Sequence, residues 1–159
     1  MKQHVLDTDM LTLYQESHPK VLFGVNQQPR KQVAITIISV EEQLSGWYTR
    51  LRRAKRPDEL AKVYERLTIN VRSFEQFQIL SFDEPSIERY EQLRKQKLRV
   101  GKMDLRIAAI VLRYDAVLVT RNLRDFQRVP GLTIEDWSAQ LFLFGRTLAG
   151  RLFTNRSPC

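Results

Sequence analysis

Cysteine and histidine are scarce in this sequence of 159 residues. The single cysteine, Cys159, is the last residue, and the only histidines are His4 and His18. These residues provide neither an internal disulfide nor the sulfur and nitrogen ligands of a zinc site. Their scarcity therefore excludes a disulfide-stapled fold and a zinc centre, and it favours the reducing environment of the cytoplasm.

Long hydrophobic runs are absent as well. No run approaches the ~20 apolar residues that cross a bilayer. Asp7 and Asp9 interrupt the apolar stretch near the start of the chain, which therefore lacks the pattern of a signal peptide. We expect a protein with no membrane partner.

Acidic residues are outnumbered by basic ones. The chain has 26 Lys and Arg against 18 Asp and Glu, which gives a net charge of +8 and an isoelectric point near 9.9. This balance favours a polyanionic partner, and nucleic acid before a membrane. The residues that we expect to contact phosphates are Arg50, Arg52, Arg53, Lys55, Arg56 and Lys102. For each of them alone, a solvated surface charge remains the alternative.

Five short apolar segments have the length and composition of β-strands. The segment at 33–39 is rich in β-branched residues, which is typical of a strand buried on both faces. The other segments are 3–6, 77–82, 116–120 and an edge strand at 132–135. Because helical segments separate them, the chain predicts an α/β fold with a mainly parallel sheet of four to five strands covered on both faces.

Helical signals occupy most of the intervening chain. The segment 105–112 is apolar on nearly every side and predicts a buried helix, whereas the stretch with Pro19 and Pro29 predicts a loop. Pro57 and Asp83 are typical of the first turn or cap of two further helices. Apolar residues recur at helical spacing in two of these helices. One stripe, which we expect to face the core, consists of Val40, Leu44, Trp47 and Leu51. The next helix has an apolar stripe of Leu60, Val63, Tyr64 and Leu67.

Acidic residues follow the predicted strands. Asp7 ends the first strand, Glu42 lies shortly after the second, Asp104 opens the buried helix and Asp125 follows the fourth strand. Because the carboxyl ends of parallel strands share one edge of a sheet, we expect these four carboxylates to converge. Their repulsion would be relieved by a divalent cation, and oxygen ligands suit Mg²⁺ or Mn²⁺. The predicted chemistry is metal-dependent hydrolysis of a phosphodiester.

Each acid also has a structural interpretation. Asp104 could serve only the helix dipole, while Asp9 and Asp115 could be ordinary turn residues. Glu41 competes with Glu42, and helical periodicity does not decide between them. Asn122 could be a turn former.

Four sequence blocks together resemble one family. They are VLDTDML at 5–11, ISVEEQLSG at 38–46, GKMDLRIAA at 101–109 and LVTRNLRDFQRVPGLTIEDW at 118–137. The chain resembles the PIN-domain ribonucleases, and within them the VapC-like toxins of bacterial toxin–antitoxin pairs. The resemblance implies a three-layer α/β/α PIN-like domain at 1–137. It also implies an Mg²⁺-dependent endoribonuclease that forms a homodimer and is inhibited by an antitoxin.

The resemblance also assigns residues. The catalytic and metal-binding acids fall on Asp7, Glu42, Asp104 and Asp125, which settles Glu42 over Glu41. Asn122 is the polar group at the strand end, and the supporting residues are Thr8, Asp9 and Thr120. Asp9 departs from the family, which most often has asparagine there. The second departure is residues 138–159, which we expect to form an apolar helical extension. It would dock on its own domain, on a second subunit or on the antitoxin, and we favour the last two; the alternative is an incidental extension that contributes nothing.

Two other functions compete with this assignment. A haloacid-dehalogenase-like phosphatase would use Asp7 and Asp9, but it needs an acid pair after a later strand, where this chain has Thr120, Arg121 and Asn122. The other alternative is an RNA-binding module without catalytic activity.

Overall fold

A computed structural model describes residues 1–139, which form a five-stranded parallel sheet with helices on both faces. The strands are β1 (His4–Leu6), β2 (Val33–Thr36), β3 (Gln78–Leu80), β4 (Val117–Val119) and β5 (Thr133–Glu135). Their order across the sheet is β3-β2-β1-β4-β5, so β1 is the central strand. The predicted parallel α/β fold is confirmed.

The strand register sorts the core into two layers. Val5 pairs with Ala34 and Leu118, and these side chains face one hydrophobic cluster. Their neighbours Leu6, Ile35 and Val119 face the opposite cluster. Because successive side chains of a strand point to opposite faces, a sheet covered on both sides needs apolar residues at every position. This requirement explains the continuous apolar runs of the sequence.

Seven α-helices connect the strands in the described part of the chain: α1 (Thr8–Gln15), α2 (Pro19–Asn26), α3 (Ile37–Arg53), α4 (Pro57–Ser73), α5 (Glu84–Lys95), α6 (Lys102–Arg113) and α7 (Leu123–Phe126). Two 3-10 turns occupy Arg30–Gln32 and Phe74–Gln76. Helix α6 is buried, as predicted. Asp83 caps α5 by accepting a hydrogen bond from the backbone N–H of Ser86, which confirms that prediction too.

The second strand is shorter than its composition predicts. It ends at Thr36, and α3 begins at Ile37, inside the segment 33–39 predicted as a strand. The Thr36 side chain accepts a hydrogen bond of 3.1 Å from the backbone N–H of Ser39. This N-cap starts the helix in spite of the β-branched residues that follow it.

The predicted loop that begins near Pro19 is wrong. Residues Pro19–Asn26 form α2, with Pro19 in the first turn, where its missing N–H costs nothing. Gly24, in the middle of this helix, disfavours a helix by itself. Packing against the ring of Trp137 decides the conformation, and Trp137 lies more than a hundred residues away in the sequence.

The apolar stripe of α4 does not face the core. Leu60 and Tyr64 are exposed, and Val63 and Leu67 are only half-buried. Trp47 of α3 is half-buried too, and it lines an open groove rather than the core. Helical periodicity identifies an amphipathic helix, but it does not tell whether the apolar side is covered.

The structure also bears on membrane association and on the division of the chain into domains. Among residues 1–139 no helix has the length and hydropathy of a membrane span. The predicted helical extension at 138–159 lies outside the described residues except for its first two positions.

Gly24 and Gly46 provide a matched test of this packing, since both lie inside helices. A Cβ at Gly24 would approach Cδ2 and Cε3 of Trp137 to 2.8 Å, whereas a Cβ at Gly46 would meet nothing within 4 Å. We expect Gly24→Ala to lower the free energy of unfolding by about 1–3 kcal/mol, because the buried indole has to move. Gly46→Ala should raise it by about 0.5–1 kcal/mol through helix propensity. Urea denaturation measures both, and equal effects would contradict the packing.

Candidate metal centre

The carboxyl end of the central strand β1 places Asp7 at the middle of the sheet edge. The side chain is 4% exposed and caps α1 by accepting a 2.7 Å hydrogen bond from the backbone N–H of Met10. Burial raises the pKa of this carboxyl to about 6, although hydrogen bonds from Thr120 and Met10 oppose the shift. The negative charges of Asp9 and Asp104 raise the pKa further. Asp7 is therefore an acid held in a site that disfavours its charge.

Asp104 stands in the first turn of α6 and belongs to the same acidic group. Its pKa is raised by partial burial and then by the charges of Glu42 and Asp125. Because the charge of Asp104 also raises the pKa of Asp7, Asp104 interacts electrostatically with each of the other three acids. The four carboxylates that the sequence singled out are therefore coupled electrostatically through Asp104.

The side chain of Glu42 is oriented by α1. The hydroxyl of Thr8 donates a 2.7 Å hydrogen bond to Oε1 of Glu42. Glu41 is exposed and lies on the side of α3 that carries Ile37 and Tyr48. The helix therefore directs Glu42, and not Glu41, toward the acidic group.

Asp125 is positioned by the loop after β4. Nδ2 of Asn122 donates to its Oδ2 over 3.2 Å, and the backbone N–H of Asn122 donates to Oγ1 of Thr120 over 2.9 Å. Thr120 is fully buried and its hydroxyl hydrogen-bonds with Asp7. A chain of hydrogen bonds therefore links Asp7 to Asp125 through Thr120 and Asn122.

Arg121 is a site residue that the sequence analysis did not select. Its guanidinium forms a two-point ion pair with the carboxylate of Asp9, and the charges of Asp7 and Asp136 also lie near it. The extra negative charge that Asp9 brings is thereby offset by an arginine. The signal in the sequence was a basic residue two positions after β4, in the same short loop as Asn122.

The acidic side chains would leave part of a bound metal ion open to water instead of enclosing it. Within residues 1–139, no three side chains of His, Cys, Asp or Glu come close enough to surround a cation by themselves. Mg²⁺ retains several waters and takes one or two protein carboxylates, so an enclosed set is not required. The oxygen-only ligands and the raised pKa values of Asp7 and Asp104 are compatible with a hydrated divalent ion.

The predicted basic contacts occupy different surroundings. Arg50 stacks on the ring of Trp47 at 4.6 Å and lines the groove that Glu42 and Thr8 also line. Arg56 is engaged with Asp58, at 2.6 Å, and with Glu59. Lys102 is exposed at the start of α6, two residues before Asp104.

The remaining three basic residues lie near the far end of α3 or beyond it: Arg52, Arg53 and Lys55. Along the helix, Arg53 is ~16 Å from Glu42. These three are therefore placed farther from the acids along the helix than Arg50.

The burial of Asp7 predicts a pH-dependent cost to stability. The pKa is raised in the folded state, so folding favours the protonated form, and stability falls as the pH rises from about 4 to 6. Asp7→Asn keeps the N-cap and removes the charge. We expect it to raise the free energy of unfolding by about 1–3 kcal/mol near pH 8, and to change it little near pH 4.

Denaturation curves at both pH values measure this effect. Asp115→Asn is the control, because Asp115 is an exposed carboxylate whose partner is Lys2. A gain for Asp7→Asn that does not depend on pH would contradict the interpretation.

Comparisons with known proteins identify the family of this chain. The PIN domain family model matches residues 5–132. The chain is 26% identical over 141 residues to Ribonuclease VapC1 of Haemophilus influenzae strain R2866, an alignment that covers 85% of this chain and 98% of that protein. It is also 26% identical to the tRNA(fMet)-specific endonuclease VapC of Shigella flexneri, covering 87% of this chain and 100% of the relative.

Solved structures of VapBC complexes also resemble this chain over most of its length. A chain in the crystal structure of DNA-bound VapBC from Salmonella typhimurium superimposes with a TM-score of 0.66 at 26% identity, and the match covers 86% of this chain and 99% of that one. The phosphatase and the non-catalytic module find no support in these comparisons. With the family model spanning most of the sequence and the acids gathered at the edge of the sheet, this chain belongs to the PIN domain family.

Proposed function

We propose that this protein is an endoribonuclease of the VapC type that hydrolyses RNA phosphodiester bonds with a divalent metal ion. The observation that carries the proposal is the pair of crowded carboxylates, Asp7 and Asp104, whose pKa values are raised at the sheet edge of a PIN domain. Such perturbed acids cluster at functional sites. The ribonuclease and endonuclease relatives supply the substrate class.

We assign the ligands of the ion to Asp7, Asp104, Glu42 and Asp125. When bound, Mg²⁺ or Mn²⁺ would act as a Lewis acid on the phosphodiester and offset the repulsion among the acids. Thr120 holds Asp7 by a hydrogen bond, and Thr8 holds Glu42. Asn122 orients Asp125. Each of these contacts limits the rotation of a carboxylate that has to point at the same place.

We infer the partners of this chain from the complexes in which its structural relatives occur. The structural matches include VapBC complexes and a toxin–antitoxin complex from Klebsiella pneumoniae. We infer that this chain acts in the cytoplasm as the toxin of such a pair, and that an antitoxin inhibits it. We also propose a homodimer, with residues 138–159 as an extension that contributes to one of these interfaces.

Asp104 gives the direct test of the nuclease site. Asp104→Asn removes one ligand charge and keeps a polar side chain in the first turn of α6. We expect metal-dependent cleavage of total RNA to fall by at least about 100-fold, because the ion loses a principal ligand. Asp115→Asn makes the same chemical change in a turn with a positive φ that asparagine tolerates.

Cleavage is measured by mapping new RNA ends with and without Mg²⁺, and circular dichroism checks the fold of both variants. Full activity of Asp104→Asn would contradict the assignment of the site. A loss in Asp115→Asn equal to that in Asp104→Asn would point to a general effect of charge.

The toxin role makes a separate prediction in cells. Expression of the protein alone should arrest bacterial growth, because uninhibited cleavage of RNA stops protein synthesis. Asp104→Asn should relieve the arrest and Asp115→Asn should not. Growth curves measure both, with immunoblots to show equal amounts of protein. Continued growth with the active, soluble protein present would contradict the toxin role while leaving the nuclease activity intact.

A further inference from the structure

A large groove runs from the acidic site across the sides of three helices. It has a volume of about 830 Å³, and Thr8 and Glu42 of the acidic site line it. Each helix contributes residues spaced three or four apart, which therefore lie on one face. These residues are Thr8, Thr12 and Gln15 of α1, Gln43, Trp47 and Arg50 of α3, and Arg66, Asn70 and Ser73 of α4.

The walls of the groove carry unpaired positive charge. Arg50, Arg66 and Arg72 all line it, and within residues 1–139 none of the three has an ion-pair partner. The acids that line the same groove are Glu42, at the end near the metal centre, and Glu16. Beyond Glu42 the groove is thus predominantly basic, as a surface that follows a phosphate backbone has to be.

Trp47 adds an aromatic surface to this basic groove. Its ring is half-buried, lines the groove and carries the Arg50 guanidinium at 4.6 Å from its centroid. The other tryptophan, Trp137, is 2% exposed and belongs to the core. Aromatic and arginine side chains in one groove are the combination on which unpaired bases stack.

The floor of the groove is made of neutral amides and hydroxyls. Nε2 of Gln43 donates to Oγ1 of Thr12 at 3.1 Å, and Nδ2 of Asn70 donates to Oε1 of Gln43 at 2.9 Å. Asn70 is 8% exposed, and its Oδ1 accepts no hydrogen bond from residues 1–139. A buried acceptor without a donor costs free energy, which a ligand with N–H groups could recover.

We propose that this groove holds a single-stranded segment of the RNA substrate, with Arg66 and Arg72 on phosphates and a base stacked on Trp47. The proposal rests on the ribonuclease function given above. The sequence predicted phosphate contacts at the end of α3, which carries Arg52 and Arg53. We propose instead that the RNA lies between α3 and α4. The groove opens directly on Thr8 and Glu42, so a strand lying in it leads to the acids.

Three double variants in an Asp104→Asn background test the path. Arg66→Gln with Arg72→Gln removes two exposed charges from the groove. The control, Arg89→Gln with Lys95→Gln, removes two exposed charges from α5, which packs on the opposite face of the sheet from α1. The third variant, Arg52→Gln with Arg53→Gln, changes the end of α3. All three lose the same net charge.

Binding is measured by fluorescence anisotropy with a labelled pool of short, random-sequence, single-stranded RNA at several salt concentrations. We expect the groove variant to bind RNA with roughly tenfold lower affinity. The slope of log affinity against log salt concentration should become less steep by about 0.7 for each lost phosphate contact. The α5 variant should lose less than about twofold, because exposed charges beyond a Debye length are screened. RNA should also quench the fluorescence of Trp47, and Trp47→Phe should remove that quenching.

The outcomes separate this proposal from the nuclease function. Equal losses in the groove and α5 variants, or a larger loss in the Arg52 and Arg53 variant, would overturn the path. Unchanged RNA affinity in the groove variant would also overturn the proposed path. A partner protein would then be the occupant to test. Cleavage of total RNA by the unmodified protein is measured in parallel. The double variant Arg66→Gln with Arg72→Gln is also made with Asp104 intact, for the cleavage assay alone. If the unmodified protein cleaves RNA and this variant cleaves with an unchanged KM, the nuclease function stands and only the proposed RNA path is wrong.

Discussion

The direction of the strands is the constraint on which the site depends. All five strands are parallel, so every carboxyl end lies at one edge of the sheet. The central strand β1 delivers Asp7 to the middle of that edge, between residues supplied from β2 and β4. Helices cover both faces of the sheet. The same arrangement that gathers the carboxylates also buries Asp7 most deeply.

Burial of Asp7 sets a conflict between folding and chemistry. A carboxyl with a pKa of about 6 is ionised near neutral pH at a cost in stability. The protein reduces this cost locally, through the N-cap contact with Met10 and the hydrogen bond from Thr120. The mutual repulsion with Asp104 remains, and a cation is the chemical group that would remove it. Under the proposed function, this residual strain is the source of affinity for the metal.

Some charges around the acidic site are paired and others are not. Asp9 adds a carboxylate next to Asp7, and Arg121 meets it from the loop after β4. The pair joins the start of α1 to the loop that carries Asn122 and Asp125, so it ties two parts of the acidic group together. Farther from the acids, Arg50 and Arg66 have no such partner within residues 1–139 and leave the groove basic. Under the proposed function, the acidic centre would bind the metal and the basic groove beside it would bind the RNA.

The sequence by itself determined the alternation of strands and helices that gives a parallel α/β fold, the cap at Asp83, and the acids that stand near the ends of the strands or at the start of α6. These features depend on short-range patterns: apolar runs, residues three apart at a helix start, and acids that follow a strand within a few residues or stand in the first turn of a helix. It did not determine α2, the exposure of Tyr64 or the position of Trp47. The partner of Arg121 could not be predicted either, since Asp9 lies 112 residues away in the chain. Only the tertiary structure decided these, because each depends on contacts between segments that are distant in sequence.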